Sequence, residues 1–302
     1  MYINTVKSDW DEQWVVPTEE LEKFIQWREE AVGEPLEVTL GRIARRPNLE
    51  DDDHALTDLL REALYEKWRK DPKGKSKMPT LENNRTLCAI KRLLEFDLSN
   101  PQSPSPKPLV SRVLSYNYDD LIETVSSEMR LPFFPVWEGS PRNPTPKARP
   151  CYHVHGYVPP CGEKKPVQPV VLTEDHYHDQ ASNLMSWTNL IQIQTLSHAP
   201  GLMVGLSLSD RNIRRLLRAT MSPLRCPLFC ILVKSQLPSL GASHSSILDA
   251  LRRKLDDDEH QANRTYLDDI GVKPLFVDSH IDVPKAIDEL HSLLAQSLGI
   301  KP

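Results

Sequence analysis

From Val110 onward the chain alternates short apolar runs with stretches of helical period, and this alternation constrains the fold more than any other feature. Val110–Tyr116, Tyr152–Val158, Val167–Thr173, Leu202–Leu206, Phe229–Val233 and Pro274–Val277 read as strands. Helical stretches stand between them at Asp119–Met129, Asp175–Ser197 and Asp210–Met221, with another ahead of Pro274 and a closing one over Val283–Leu298. Short buried strands alternating with helices are the signature of a parallel sheet covered on both faces. The expected class is α/β: a Rossmann-like parallel sheet with helices on both faces, plus a helical N-terminal region.

That amino-terminal region, residues 1–100, carries no convincing strand. Thr18 can cap a helix whose apolar positions are Leu21, Phe24, Ile25 and Val32, with Gly33 as its stop. The acid run Asp51–Asp53 suits the start of a second helix with the stripe Leu56, Leu59, Leu60, Ala63, Leu64 and Trp68. A third is expected from Thr80 to Phe96, with Leu87, Ile90 and Leu94 inward. More than half of the 26 prolines then fall between Pro101 and Pro169. Each proline removes a backbone donor and fixes φ, so Ser99–Pro108 reads as a linker or surface loop between the helical region and the α/β region at 109–302.

Composition narrows the function classes. With 39% hydrophobic and 26% charged residues the chain has globular proportions. A net charge of −5 supplies no field that would gather nucleic-acid phosphates, so direct nucleic-acid binding is not expected. No apolar run approaches the roughly 18 to 20 residues of a membrane span. The opening segment MYINTVKSDWDEQWVV has neither a basic nor an apolar leader region, so nothing in it directs secretion. The 5 cysteines show no paired spacing and read as reduced thiols of a cytoplasmic protein.

Ligands of parallel sheets sit at the carboxyl ends of the strands, and three polar clusters occupy such ends. The first is Ser115-Tyr116-Asn117-Tyr118-Asp119-Asp120. Asn117 and Asp119 either point an amide and a carboxylate into a crevice, or satisfy loop backbone and cap the next helix. The second is Tyr152-His153-Val154-His155-Gly156-Tyr157. Strand alternation puts His153 and His155 on one face, as a general base or as hydrogen-bonded strand histidines, with Gly156 permitting close approach. His153-x-His155, His176-x-His178 and Asp175 also raise a metal site. Positions two apart on a helix do not face the same way, however, and no zinc-binding spacing is present, so no metal is expected. The third cluster is Val204-Gly205-Leu206-Ser207-Leu208-Ser209-Asp210, where a helix amino terminus offers N–H groups that favour phosphate. The arginines that follow, Arg211, Arg214 and Arg215, add cations that read as a solvated face.

In this order the three clusters resemble the sirtuin-like family, in particular its bacterial NAD-hydrolase branch in anti-phage defence. That family's pattern is Thr-x-Asn-Tyr-Asp, then His-Gly, then Gly-x-Ser-x-x-Asp. The resemblance runs from about Val110 to Leu298 and includes a last strand in Gly271-Val272-Lys273-Pro274-Leu275-Phe276-Val277-Asp278. It implies that Asn117 orders the nicotinamide ribose and the attacking water, that His155 is the general base, and that Asp119 lies near the nicotinamide carboxamide. Gly205 and Ser207, with Asp210 closing the pattern, would bind the phosphates and ribose. Ser115 stands where threonine is usual and keeps the hydroxyl. On this resemblance 109–302 is a Rossmann-like NAD-binding domain, and 1–100 is part of it or inserted into it.

Two departures shape the expected activity. Protein-deacylating sirtuins carry a zinc lobe with two Cys-x-x-Cys pairs, and no such pair occurs here, so structural zinc is not expected. The family's opening Gly-Ala-Gly-x-Ser phosphate loop is also missing from residues 1–100, in keeping with only 11 glycines. Either that strand lies upstream of Met1 or the chain lacks the cradle. The resemblance implies an NAD glycohydrolase, with NAD as substrate, that depletes NAD in bacterial immunity. A non-enzymatic NAD- or ADP-ribose-sensing or assembly module, or an NAD-dependent deacylase, is the alternative. It also implies a homo-oligomer or a complex with a defence partner: an ATPase, an Argonaute-like protein or a phage trigger.

Overall fold

The computed structural model describes residues 36–45, 57, 60, 61, 64, 65, 84–96, 98, 107–140, 148–159, 170–223, 225–234 and 246–299. The helix expected from Thr18 to Val32 lies outside them. Six strands are described, all in parallel pairs, in two three-stranded sheets. The first has the order β1-β3-β2, from β1 (Val113–Ser115), β2 (Phe133–Val136) and β3 (Arg149–His153). The second has the order β4-β5-β6, from β4 (Gly201–Met203), β5 (Leu228–Val233) and β6 (Val272–Val277). The chain divides into two compact units, one holding 1–84 and 94–188, the other 85–93 and 189–302, so each unit carries one sheet. The α/β class with parallel sheets flanked by helices is as expected. The single sheet is resolved as two.

Helices α1 (Leu36–Ala44), α2 (Arg85–Glu95), α3 (Leu121–Ser126), α4 (Glu174–Ser182) and α5 (Trp187–His198) precede β4. They are followed by α6 (Arg211–Ala219), α7 (Ser246–Asp269) and α8 (Val283–Ser297), with a 3-10 turn at His280–Asp282. In α6 the residues Ile213, Leu216 and Leu217 are buried at helical spacing, and Ile287 of α8 is fully buried. Residues 57, 60, 61, 64 and 65 are helical, within the expected second helix, and Leu60 is buried. The third expected helix is α2, with Leu87 and Leu94 buried.

Several expectations are corrected. The strand expected over Tyr152–Val158 begins at Arg149 and ends at His153, because the chain turns at Val154-His155. Residues 170–173 are not strand: Thr173 caps α4 by accepting the His176 N–H, and Val170 packs against Gly156. The long helix expected from Asp175 is two helices, broken at Asn183–Ser186. Two elements were not expected. One is α1, and the other is β2, which contains Pro135. An edge strand tolerates proline, since one side of its backbone needs no ladder partner, and both outer strands β2 and β6 contain one. The residues flanking the proline-rich stretch are joined: Leu98 N–H donates to Lys107 O at 2.7 Å and Leu109 N–H to Phe96 O at 2.9 Å.

The amino ends of the first sheet meet at Arg149, which is 6% exposed. Its guanidinium donates to the carbonyls of Leu131 (2.8 Å), Leu94 (2.9 Å) and Val110 (2.8 Å), and lies 4.1 Å from the Phe133 ring centroid. The planar fork reaches three chain segments at once, which a lysine ammonium on a flexible stem cannot match. In the second unit Arg225 has the same role, donating to Leu217 O (3.0 Å), Thr220 Oγ1 (3.1 Å), Ile270 O (3.2 Å) and Gly271 O.

Arg149→Met should lower the stability of the chain by about 3 kcal/mol or more, since each buried acceptor left unpaired costs about 1 to 3 kcal/mol. Arg149→Lys should recover only a minority of it. Denaturant midpoints measure both.

Candidate functional site

The carboxyl edge of the first sheet is set by the register of β1 on β3, in which Ser115 pairs with His153. The Val154 N–H donates to Ser115 O at 3.1 Å, so the two chains leave the sheet side by side. Asn117 and His155 each follow two residues after that last pair. Asn117 is exposed, and its N–H donates to Ser115 Oγ at 3.2 Å. His155 is 5% exposed, with its ring edge-on to Tyr116 and Tyr177 at centroid distances of 5.3 Å each. Asn117 and His155 therefore follow neighbouring strand ends, one exposed and the other buried.

Gly156 follows with φ +96°, and a Cβ there would stand 2.8 Å from Val170 Cγ1 and 3.1 Å from Val170 Cα. The close approach expected at this glycine is made by Val170. Both the turn that releases His155 from the strand and the packing beneath it need the missing side chain.

His153 and His155 do not continue one strand, since β3 ends at His153 and His155 lies in the turn that follows. His153 is the last residue of β3 and is 1% exposed. Its Nδ1 is 3.1 Å from the Asn117 carbonyl oxygen, and its Nε2 is 2.9 Å from Glu123 Oε1 on α3. Its ring also lies against Tyr157 at 4.7 Å. Two acids complete the edge. Asp119 Oδ1 accepts the Leu121 N–H at 3.1 Å, so this carboxylate does cap α3, and burial pushes its carboxyl above the usual carboxylate range. Asp120 accepts from Thr124 Oγ1 at 3.1 Å and from the buried Tyr65 hydroxyl at 3.2 Å. The single Tyr65 hydroxyl proton is shared with Val158 O, 2.8 Å away. Glu123 and Tyr65 were missed from the sequence because neither stands in a strand-end motif. The acids Asp119, Asp120 and Glu123 at one helix start were the available signal.

The metal constellation raised by His153, His155, His176, His178 and Asp175 is not assembled. Asp175 pairs with Arg45, His176 Nδ1 accepts the Leu172 N–H at 3.3 Å, and His178 lies 3.7 Å from Glu174. Among the described residues one group has metal-ligating chemistry: Glu123, Cys151 and His153, with donor atoms within 4.8 Å of one another. A thiol, an imidazole and a carboxylate suit a zinc-like ion. The direct imidazole–carboxylate contact occupies that space, however, and burial beside Glu123 and Asp119 pushes the Cys151 thiol well up, away from the thiolate a metal needs.

Residues 111–235 match the family described as SIR2-like domain. This segment is similar to SIR2-like domains. It takes in all three clusters and closes after β5, leaving β6 and α8 outside the match. No curated protein matches the chain. A SIR2-like domain points to an NAD-related function.

The third cluster of the matched segment lies in the second unit, between β4 and α6. Gly205 is exposed with φ +75°, and a Cβ there would meet nothing within 4 Å, so the turn needs this glycine while the space beside it stays open. The exposed hydroxyls of Ser207 and Ser209 bond each other at 2.6 Å. Asp210 caps α6, its Oδ1 accepting the Asn212 N–H at 2.7 Å. That carboxylate takes one of the N–H groups expected to face a phosphate.

Two substitutions test this geometry. Gly156→Ala should cost about 1 to 3 kcal/mol through its left-handed backbone, and Val170→Ala should not restore it, because only the contact is relieved. Asp119→Asn keeps an acceptor for Leu121 N–H and removes the penalty of burying a charge. A carboxyl raised in the folded state binds more protons there than in the unfolded chain, so wild-type stability falls as pH rises from the usual Asp value through the raised one. Asp119→Asn should abolish that slope and melt higher than wild type at neutral pH, as read by thermal unfolding across pH 3 to 8.

Proposed function

We propose that the SIR2-like domain hydrolyses NAD at the nicotinamide–ribose bond, releasing nicotinamide and ADP-ribose, and that the chain depletes NAD as an effector of bacterial anti-phage immunity. The observation that carries the chemistry is the register of β1 on β3, which sets Asn117 and His155 at equal distance along the chain from one strand pair. The defence role rests on the sirtuin-like resemblance. So do a homo-oligomeric state and a trigger such as an ATPase, an Argonaute-like protein or a phage component.

The reaction asks little acid catalysis of the protein. The C1′–N bond breaks with its electron pair moving to the pyridinium nitrogen, so nicotinamide leaves neutral. An oxocarbenium-like centre remains at C1′, as in glycoside cleavage. Water adds to C1′ and gives its proton to His155. The exposed Asn117 amide offers a donor and an acceptor to a ribose hydroxyl and that water. Asp119, its carboxyl raised by burial, faces the carboxamide in this reading.

The alternative reading is a non-enzymatic NAD- or ADP-ribose-binding module of the same fold.

Purified protein should release nicotinamide from NAD. Asn117→Ala and His155→Ala should each lower the rate by about 10²-fold or more, the usual worth of a positioned base. If both leave it unchanged, the site is misassigned. Calorimetric binding of ADP-ribose without any nicotinamide release would establish the module instead.

A further inference from the structure

We propose that His153, seated on Glu123, is the positioning residue for Asn117, and that it clamps the Asn117 main chain so that the side-chain amide meets the ribose. The functional half of this inference rests on the hydrolase reading. The clamp itself stands on hydrogen-bond geometry.

A carbonyl oxygen only accepts, so the 3.1 Å contact between His153 Nδ1 and Asn117 O requires the proton on Nδ1. At Nε2, 2.9 Å from Glu123 Oε1, one further proton closes the contact, whether it resides on nitrogen or on oxygen. Glu123 therefore fixes the tautomer and orientation of the ring, as a carboxylate behind an imidazole does in metal and catalytic sites. The opposite side of Asn117 is held as well, since its N–H donates to Ser115 Oγ at 3.2 Å. Both main-chain polar groups of Asn117 are thus engaged, while its exposed side-chain amide has no hydrogen bond among the described residues.

Burial makes the clamp stiff. His153 is 1% exposed, and the groups facing it are Glu123 from α3, Asp119 from the loop after β1, Cys151 from its own strand and the Tyr157 ring. Two segments that are distant in sequence meet on one imidazole: the end of β3, and the loop after β1 with the helix α3 that continues it. A shift of about 1 Å in a positioning group can cost on the order of 10²-fold in rate. The expected signature is therefore a fall in kcat with little change in KM.

The test pairs two conservative variants with a measurement that needs no activity. His153→Gln keeps a donor towards Glu123 and loses the one towards Asn117. His153→Asn keeps an amide donor near the Nδ1 position. The Gln variant should lose at least about tenfold in kcat for nicotinamide release with KM for NAD within about threefold, and the Asn variant should regain most of it. Equal losses in both, or a loss carried by KM, would overturn the positioning role. In the full chain labelled with ¹⁵N-histidine, the His153 Nδ1 resonance should be that of a protonated nitrogen. An unprotonated Nδ1 would overturn the clamp, as would one equivalent of a co-purifying transition metal that is lost in His153→Gln. If the wild type releases no nicotinamide, the hydrolase reading and the functional half fail together, while the nitrogen spectrum still decides the clamp.

Discussion

A single buried imidazole ties together the carboxyl edge of the first sheet. His153 ends β3, reaches sideways to the carbonyl of Asn117 in the loop after β1, and reaches down to Glu123 on α3. Parallel strands need long crossover connections, so the ends of neighbouring strands are joined to distant chain and nothing local fixes one end against the other. A side chain with two opposed polar nitrogens supplies that fixing across the sheet edge. It does so without covering the edge, since the Asn117 side chain remains exposed.

The opposite edge of the same sheet is secured by a different chemistry. Arg149 opens β3 and gathers three carbonyls at the starts of the strands and the end of α2. None of these three partners is an acid, so the charge is spread over peptide dipoles and the guanidinium also lies on the Phe133 ring. The strand β3 is thus pinned by its first residue and by its last. The short β1, only 3 residues long, holds its register because both of its ends are tied through β3. This explains how so brief a strand can place Asn117 reproducibly.

Much of this arrangement was legible in the amino-acid sequence, and the limits are physical. The alternation of apolar runs and helical stretches predicted the parallel α/β class because that pattern follows from burial on both faces. The clusters around Asn117, His155 and Gly205 were legible because strand ends in such sheets carry polar residues for a reason. The pairing of His153 with His155 was not legible correctly, since it assumed that strand period continues past His153, where the chain turns. The strand β2 was hidden because Pro132 and Pro135 forbid a central strand, and only the sheet order reveals it as an edge. Glu123 and Tyr65 stayed invisible because their partners, His153 and Asp120, are 30 and 55 residues away in the chain.

The acids at the start of α3 bear on whether this edge is a site or merely structure. Asp119, Asp120 and Glu123 are each given specific partners: a backbone N–H, two hydroxyls and an imidazole. Apolar residues of similar volume would fill a core at least as well, because desolvating charged groups commonly outweighs what their pairing returns. A fold that keeps Asp119 with its carboxyl raised by burial accepts a destabilising group at neutral pH. Asp120 and Glu123 are bound up in holding Tyr65 and His153, whereas Asp119 has one backbone contact and capacity for a second hydrogen bond. Of the three carboxyls, Asp119 is therefore the one whose retention structure alone explains least. It lies two residues from the exposed Asn117.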